Sequence, residues 1–375
     1  MTSTADEHLE LRHEYASWLS AFLPSDYYGH RYADYRWDLG LRRAHQEASY
    51  EAGWLQPTWT AEHGGRELGP SEAMAIRLEG AVRSAPKLPN IAGPNVAAPG
   101  IREHGTPEQV ERLLVPALRG LDWWALGMSE PEAGSDFASL RTRADRRGDT
   151  YVVNGQKTWT TQAHLSRWAM LYVRTDPDVP KHKGLSCLLL DLQAPGVTIR
   201  PIKMATISDE TFCEVFLEDV QVPVSDLLGQ EGEGWKIAMS ALEHERDMIW
   251  IMNWVEAERG LQQVRRYGER LSDDLLTELG RRLADAEALR ATGYRGLTSA
   301  MAGRPSPEAL ILKLLGSESL QDTWELAAAA AGSSAGSDSE LTFERHDALA
   351  ATLYGGTSEV QRNIIGERVL GLPKA

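Results

Sequence analysis

Gly127-Met128-Ser129-Glu130-Pro131-Glu132-Ala133-Gly134-Ser135-Asp136 is the stretch around which the chain is organised. It follows the apolar run Trp123-Trp124-Ala125-Leu126. A loop of Gly, Ser and Ala lets backbone N–H groups approach an anionic or heteroaromatic ligand, because no Cβ stands in the way. Ser129 and Ser135, at opposite ends, are both potential donors. Taken alone, the string also reads as an ordinary Pro/Gly/Ser turn.

The sequence changes character on either side of this loop. Upstream, from Asp6 to about Leu118, the pattern is helical. Leu9, Leu11, Tyr15, Trp18, Leu19 and Phe22 form one apolar face that Pro24 ends. Trp37 to Trp54 and Ser71 to Val82 read as further helices. Thr106-Pro107-Glu108-Gln109 starts another, with threonine at the N-cap, proline at the first position and glutamine closing a capping box. Downstream the period shortens. Tyr151–Val153, Trp168–Arg174, Leu185–Leu192, Val197–Ile202 and Phe212–Val222 are short runs rich in Val, Leu, Ile and aromatics. Arg147-Gly148-Asp149, Asn154-Gly155 and Ala194-Pro195-Gly196 read as turns between them, which makes an antiparallel β region. From Trp235 the chain is helical again, broken at 303–307 and at the tract 332–338. The expectation is an α+β multidomain chain: an N-terminal α-helical domain (1–122), a central antiparallel β domain (123–228) and a C-terminal helical domain (229–375), with any ligand at a junction.

Bulk properties narrow the functions. At 375 residues, with 42% hydrophobic and 25% charged residues, the composition is that of a globular protein with a large core. A net charge of −15 argues against nucleic acid as a partner. The two cysteines, Cys187 and Cys213, lie in apolar strand-like runs and read as buried thiols. No apolar stretch reaches membrane-spanning length and the amino terminus lacks a signal-peptide core, so cytoplasm is the simplest address. Gly229-Gln230-Glu231-Gly232-Glu233-Gly234 lacks the Lys-Ser/Thr pair of a phosphate loop.

One carboxylate stands out. Leu242-Glu243-His244-Glu245-Arg246 falls on a long helix. His244-Glu245 suggests a zinc site, but the second histidine would fall at Met248, so no metal is expected. Glu245 has Ala238, Ala241, Leu242, Met248, Ile249 and Met252 at helical-neighbour spacing, whereas Glu243 faces Lys236, Ser240 and Asp247. A carboxylate in an apolar stripe has a raised pKa and suits a general base, but the pattern alone favours a buried structural Glu–Arg pair.

These motifs together resemble the acyl-CoA dehydrogenase family. Met128–Asp136, Asn154-Gly155-Gln156-Lys157-Thr158-Trp159-Thr160-Thr161, Gly234-Trp235, Glu245-Arg246 and Tyr354-Gly355-Gly356-Thr357-Ser358-Glu359-Val360-Gln361-Arg362 match family landmarks in order and spacing over nearly the whole chain. The resemblance implies a C-terminal four-helix bundle, with FAD bound between it and the β domain. Met128 and Ser129 would contact the flavin ring, and Leu126, Gly134 and Thr160 would also bind the cofactor. Trp159 and Thr161 would pack on and hydrogen-bond that ring. Ser135 would lie near the FAD or substrate phosphates, and Thr357 and Glu359 near the diphosphate and adenosine. Glu243 and Arg246 would line the acyl-CoA site.

Many members carry the α-proton base directly after the tyrosine of the terminal motif, where this chain has Gly355, whose N–H can still help the enolate. Others carry it on the helix, at the position of Glu245. The resemblance therefore implies FAD-dependent α,β-dehydrogenation of an acyl-CoA or acyl-carrier thioester with Glu245 as base. Electrons would pass to an electron-transferring flavoprotein. A flavin monooxygenase on the same scaffold needs no such base. Two cross-subunit segments depart from the family: around Arg270-Leu271-Ser272-Asp273 a Phe and a Gly are missing, and 328–336 is a poor match to a Gln-x-x-Gly-Gly element. That leaves either a homotetramer or a heterotetramer in which a related chain supplies the missing contacts.

Overall fold

The computed structural model describes residues 8–27, 38–205, 211–302, 304 and 306–373. Its contacts divide the chain into two compact units. One combines Asp34–Glu67 with Pro86–Glu245; the other combines the N-terminal helix, Leu68–Ala85 and Arg246–Ala375.

The first unit contains helices α2 (Leu39–Glu51), α4 (Ala98–His104) and α5 (Pro107–Arg119), followed by an eight-stranded sheet. α5 begins as its sequence requires. Gln109 N–H donates to Thr106 Oγ1 (3.3 Å) and Thr106 N–H donates to Gln109 Oε1 (3.1 Å), a complete capping box. Gly120 ends it in the left-handed conformation, at φ 71°. The strands are β1 (Trp124–Gly127), β2 (Arg143–Arg147), β3 (Thr150–Thr161), β4 (Trp168–Arg174), β5 (Leu185–Asp191), β6 (Val197–Pro201), β7 (Phe212–Pro223) and β8 (Leu227–Leu228). Their order is β6-β7-β3-β2-β4-β5-β8, with β1 pairing parallel to β4 and the other strand pairs antiparallel save a single parallel β2–β4 pairing. β4 and β5 are buried on both faces, which explains their unbroken apolar runs. Met170, Tyr172, Cys187 and Leu189 join Ile101, Leu113 and Leu114 of the helices in one core. Ala169, Leu171, Val173, Leu188 and Leu190 join Val153, Val215 and Leu217 in the other. Both cysteines are free and buried.

Asn154-Gly155 is not a turn. β3 runs straight through it, paired to β7, with a register shift between Val153 and Gly155. Asn154 Nδ2 donates to Asp219 Oδ1 (3.0 Å), and Asp219 N–H returns a bond to Asn154 Oδ1 (2.9 Å). The pair that so often makes a hairpin here lies within a strand, and the bulge is on β7, where Glu218 and Asp219 stand against Asn154, because the partner strand is long enough to continue past it. β2, Arg-Ala-Asp-Arg-Arg, carries no apolar alternation and is set by pairing with β3 across Gly148-Asp149.

The second unit is helical. α1 (Leu9–Phe22) packs on α3 (Pro70–Val82), and α8 (Pro307–Ala331) packs against α7 (Asp273–Met301), α9 (Ser339–Ala351) and α10 (Ser358–Arg368). Glu79, buried in α3, is bound by Arg12 (3.0 Å) and by Arg83. Trp324, Leu326 and Ala327 of α8 form a core with Ala257, Val264, Leu341 and Ala348. The tract after Ala331 leaves the helix for a 3₁₀ turn over Gly332–Ser337. The long helix α6 (Gly234–Arg265) carries the chain from one unit into the other. No helix is long and apolar enough to cross a membrane among the described residues.

Candidate active site

In the sheet unit, β1 delivers the Gly/Ser loop beside β3. Leu126, half-buried, lies in register with Met170, and Gly127 is packed so closely that an added Cβ would stand 2.8 Å from Leu171 Cδ1. Met128 and Ser129 follow, both half-buried. Thr158 N–H donates to Ser129 O (3.0 Å), so the loop is stitched directly to β3.

Trp159 is the irregular residue of that strand. Its φ is 57°, in the left-handed region, and its side chain is 58% exposed. A bulky residue there costs about 1–2 kcal/mol, and such strain clusters at functional sites. Its ring meets Phe212 edge-on, centroids 5.9 Å apart. Thr161 is half-buried, and the hydroxyl of Thr160 is buried with no hydrogen-bond partner. An exposed indole on strained backbone and a half-buried thioether suit a flat heteroaromatic ring. The sheet side of the expected flavin pocket fits its ligand.

Gly134 and Ser135 are exposed, and an added Cβ on Gly134 would meet nothing within 4 Å. The turn after them is held by Asp136, which accepts from Lys181 Nζ (2.9 Å to both oxygens) and from Ser139 Oγ.

The role of two buried charges inside the quoted motifs escaped the sequence reading. Glu130 and Lys157 form a buried ion pair, Nζ to Oε1 2.8 Å. Glu130 also accepts the N–H groups of Arg141 (2.6 Å) and Thr142 (2.8 Å), and Lys157 donates to Met128 O (3.2 Å). Burial pushes the Lys157 ammonium down to about 8, with Glu130 holding it partly up. Burial alone would raise Glu130, but the Lys157 charge and the hydrogen bonds bring it below its ordinary value. The available signal was a lysine inside a strand run and an acid inside a loop of small residues.

In the helical unit, Gly355 and Gly356 turn the chain at φ 63° and 97° before α10. A Cβ on Gly356 would stand 2.6 Å from Gln361 Nε2. Thr357 is the N-cap: its hydroxyl accepts from Val360 N–H (3.3 Å). Glu359, exposed in the first turn, has its carboxyl lowered by its own N–H and by the Thr357 hydroxyl. Glu243, Glu245 and Arg246 lie on α6, and their side chains fall outside the described residues.

Comparison with known proteins agrees along the chain. The family descriptions acyl-CoA dehydrogenase N-terminal, middle and C-terminal domain match residues 5–121, 125–220 and 232–370. The chain is 38% identical over 354 residues to acyl-CoA dehydrogenase IpdE1 of Mycobacterium tuberculosis (strain ATCC 25618 / H37Rv), covering 89% of this chain and 88% of that one. It superposes on the Tcur3481-Tcur3483 steroid ACAD with a TM-score of 0.85 and 28% identity, covering 98% and 97% of the two chains. On the ChsE4-ChsE5 complex from Mycobacterium tuberculosis the TM-score is 0.83 at 30% identity, covering 100% and 99%.

Proposed function

The chain belongs to the acyl-CoA dehydrogenase family and is a flavin-dependent oxidoreductase with that activity; from that premise we propose that it oxidises a bulky, steroid-type acyl thioester, uses FAD, takes Glu245 as its base and works beside a related partner chain. The observation that carries the choice of base is Gly355. It follows Tyr354 in the terminal turn at φ 63° and offers a backbone N–H but no carboxylate. Abstracting a proton α to a thioester needs a base and a donor for the developing enolate oxygen. Glu245 is the carboxylate that the helical pattern sets among apolar neighbours, and the Gly355 N–H is the donor. Met128, Ser129 and Trp159 would hold the ring of the cofactor, with Leu126, Gly134, Thr160 and Thr161 around it, and Thr357 and Glu359 its diphosphate end. When bound, FAD supplies the acceptor for the β-hydride. Ser135, Glu243 and Arg246 would orient the thioester so that the α-proton faces Glu245, and the apolar side chains around the base keep water from competing.

The substrate class follows the steroid ACAD named above, and a base set on a helix leaves room near the α-carbon for a bulky group. The partner follows two solved relatives whose names join two chains, together with the poor cross-subunit segments at 270–273 and 328–336. Reoxidation would fall to an electron-transferring flavoprotein.

Anaerobic mixing of the FAD-loaded enzyme with a steroid-side-chain CoA ester tests the reading. Bleaching of the flavin band is expected, faster than with butyryl-CoA, and Glu245→Gln should slow it by about 10³-fold. Unimpaired bleaching in that variant would remove Glu245 as the base. Tight, full FAD occupancy of a homotetramer purified alone would remove the partner chain.

A further inference from the structure

β3 breaks its register once more after Gly155. Lys157 is opposite Val215 and Thr160 is opposite Cys213, so two residues, Thr158 and Trp159, stand against one on β7. The left-handed position of such a bulge is ordinarily glycine, and here it is Trp159. Something must hold it.

Two buried polar clusters flank it. On one side Lys157 is fixed by Glu130 and by Met128 O, and Glu130 is saturated by two backbone N–H groups. Neither charge can leave without stranding the other in a dry environment. On the other side Gln162, 3% exposed and itself at φ 56°, donates from Nε2 to Pro89 O (2.9 Å) and accepts at Oε1 from Asn90 Nδ2 (2.9 Å). Asn90 in turn grips β1, donating to Trp124 O and accepting from Trp124 N–H, both at 2.9 Å. Thr158 is tied to Ser129. The backbone is thus pinned at 157, 158 and 162, with Trp159 between.

We propose that Lys157 and Gln162 are positioning residues which, through Glu130 and Asn90, hold Trp159 in its left-handed, outward-facing conformation. The consequence for the cofactor rests on the reading of Trp159 as a flavin contact; the conformational claim does not.

Both parts are separable by experiment. The full chain is labelled with 5-fluorotryptophan, and the ¹⁹F resonance of Trp159 is assigned among the 12 tryptophans by its loss in Trp159→Phe. In Lys157→Met and in Asn90→Ala the Trp159 resonance is expected to shift or broaden while the other tryptophans stay in place, save Trp124 in Asn90→Ala, whose backbone Asn90 itself holds. FAD titrated into the same proteins should bind about tenfold more weakly. A Trp159 resonance unchanged in both variants overturns the proposal. Should Lys157→Met lose every resonance, Asn90→Ala decides. If both lose them all, the clusters build the fold rather than place the indole, and the proposal is again overturned. A shifted Trp159 with undiminished FAD affinity upholds the positioning claim and instead refutes Trp159 as a flavin contact.

Discussion

Left-handed backbone occurs at both motifs expected to meet the cofactor, and the two are built differently. In β3 it falls on Trp159, a bulky residue flanked by the buried Glu130–Lys157 and Asn90–Gln162 clusters. In the terminal turn it falls on Gly355 and Gly356, where no side chain resists it, and the next residue simply caps a helix. The first motif offers side chains on a braced strand. The second offers backbone at a helix start. A site that needs an aromatic face must strain a large residue and support it, whereas one that needs N–H groups close to a ligand uses glycine.

His45 and His346 also differ in burial, and acid should show it most visibly. His45 in the sheet unit is buried, and burial lowers it to about 4 despite a backbone bond at Pro86 that raises it. In the unfolded chain it titrates near 6.5, so the unfolded state takes up the proton first and stability is lost as pH falls from 6.5 toward 4. The loss is about 3 kcal/mol. His346 in α9 is exposed. Hydrogen exchange should therefore quicken in the sheet unit before the helical unit over that pH range, and His45→Gln should flatten the effect. Glu130, held below its ordinary 4.5, adds a second loss at lower pH that Glu130→Gln abolishes.

Gly356→Ala comes next. At φ 97° and with Gln361 Nε2 2.6 Å from the new Cβ, it should cost about 2 kcal/mol in denaturant midpoints. Thr357→Ala removes the N-cap and should cost about 1 kcal/mol. Trp159→Gly is the smallest effect on stability. Relief of about 1–2 kcal/mol of strain nearly cancels the extra entropy of glycine, about 1 kcal/mol, so the cofactor-free chain should change by less than about 1 kcal/mol. If Trp159→Gly destabilises as much as Gly356→Ala, the contrast between the two motifs is wrong.

Where a residue's neighbours in the sequence fix its environment, the sequence was sufficient. The Thr106–Gln109 capping box closes as its spacing requires, and the end of α8 at Ala331 follows from the glycine and serine tract. The double-sided burial of β4 and β5 follows from their unbroken apolar runs. Asn154-Gly155 misled because a turn dipeptide has the same local preference whether the chain reverses or runs on opposite a bulge, and only the length of β7 decides. β2 gave no signal, since three arginines and an aspartate pair through backbone alone.

The sequence by itself determined the order of helical and β segments, the family and the small-residue loop, because periodicity, capping and motif spacing are local properties of the chain. The tertiary structure decided that Glu130 and Lys157 pair across 27 positions, that Asn90 reaches Gln162 over 72, and that Trp159 stands out of the sheet between them. The physical reason is that a buried charge or amide is stable only once its partner has arrived, and arrival depends on how β1, β3 and the segment before α4 pack.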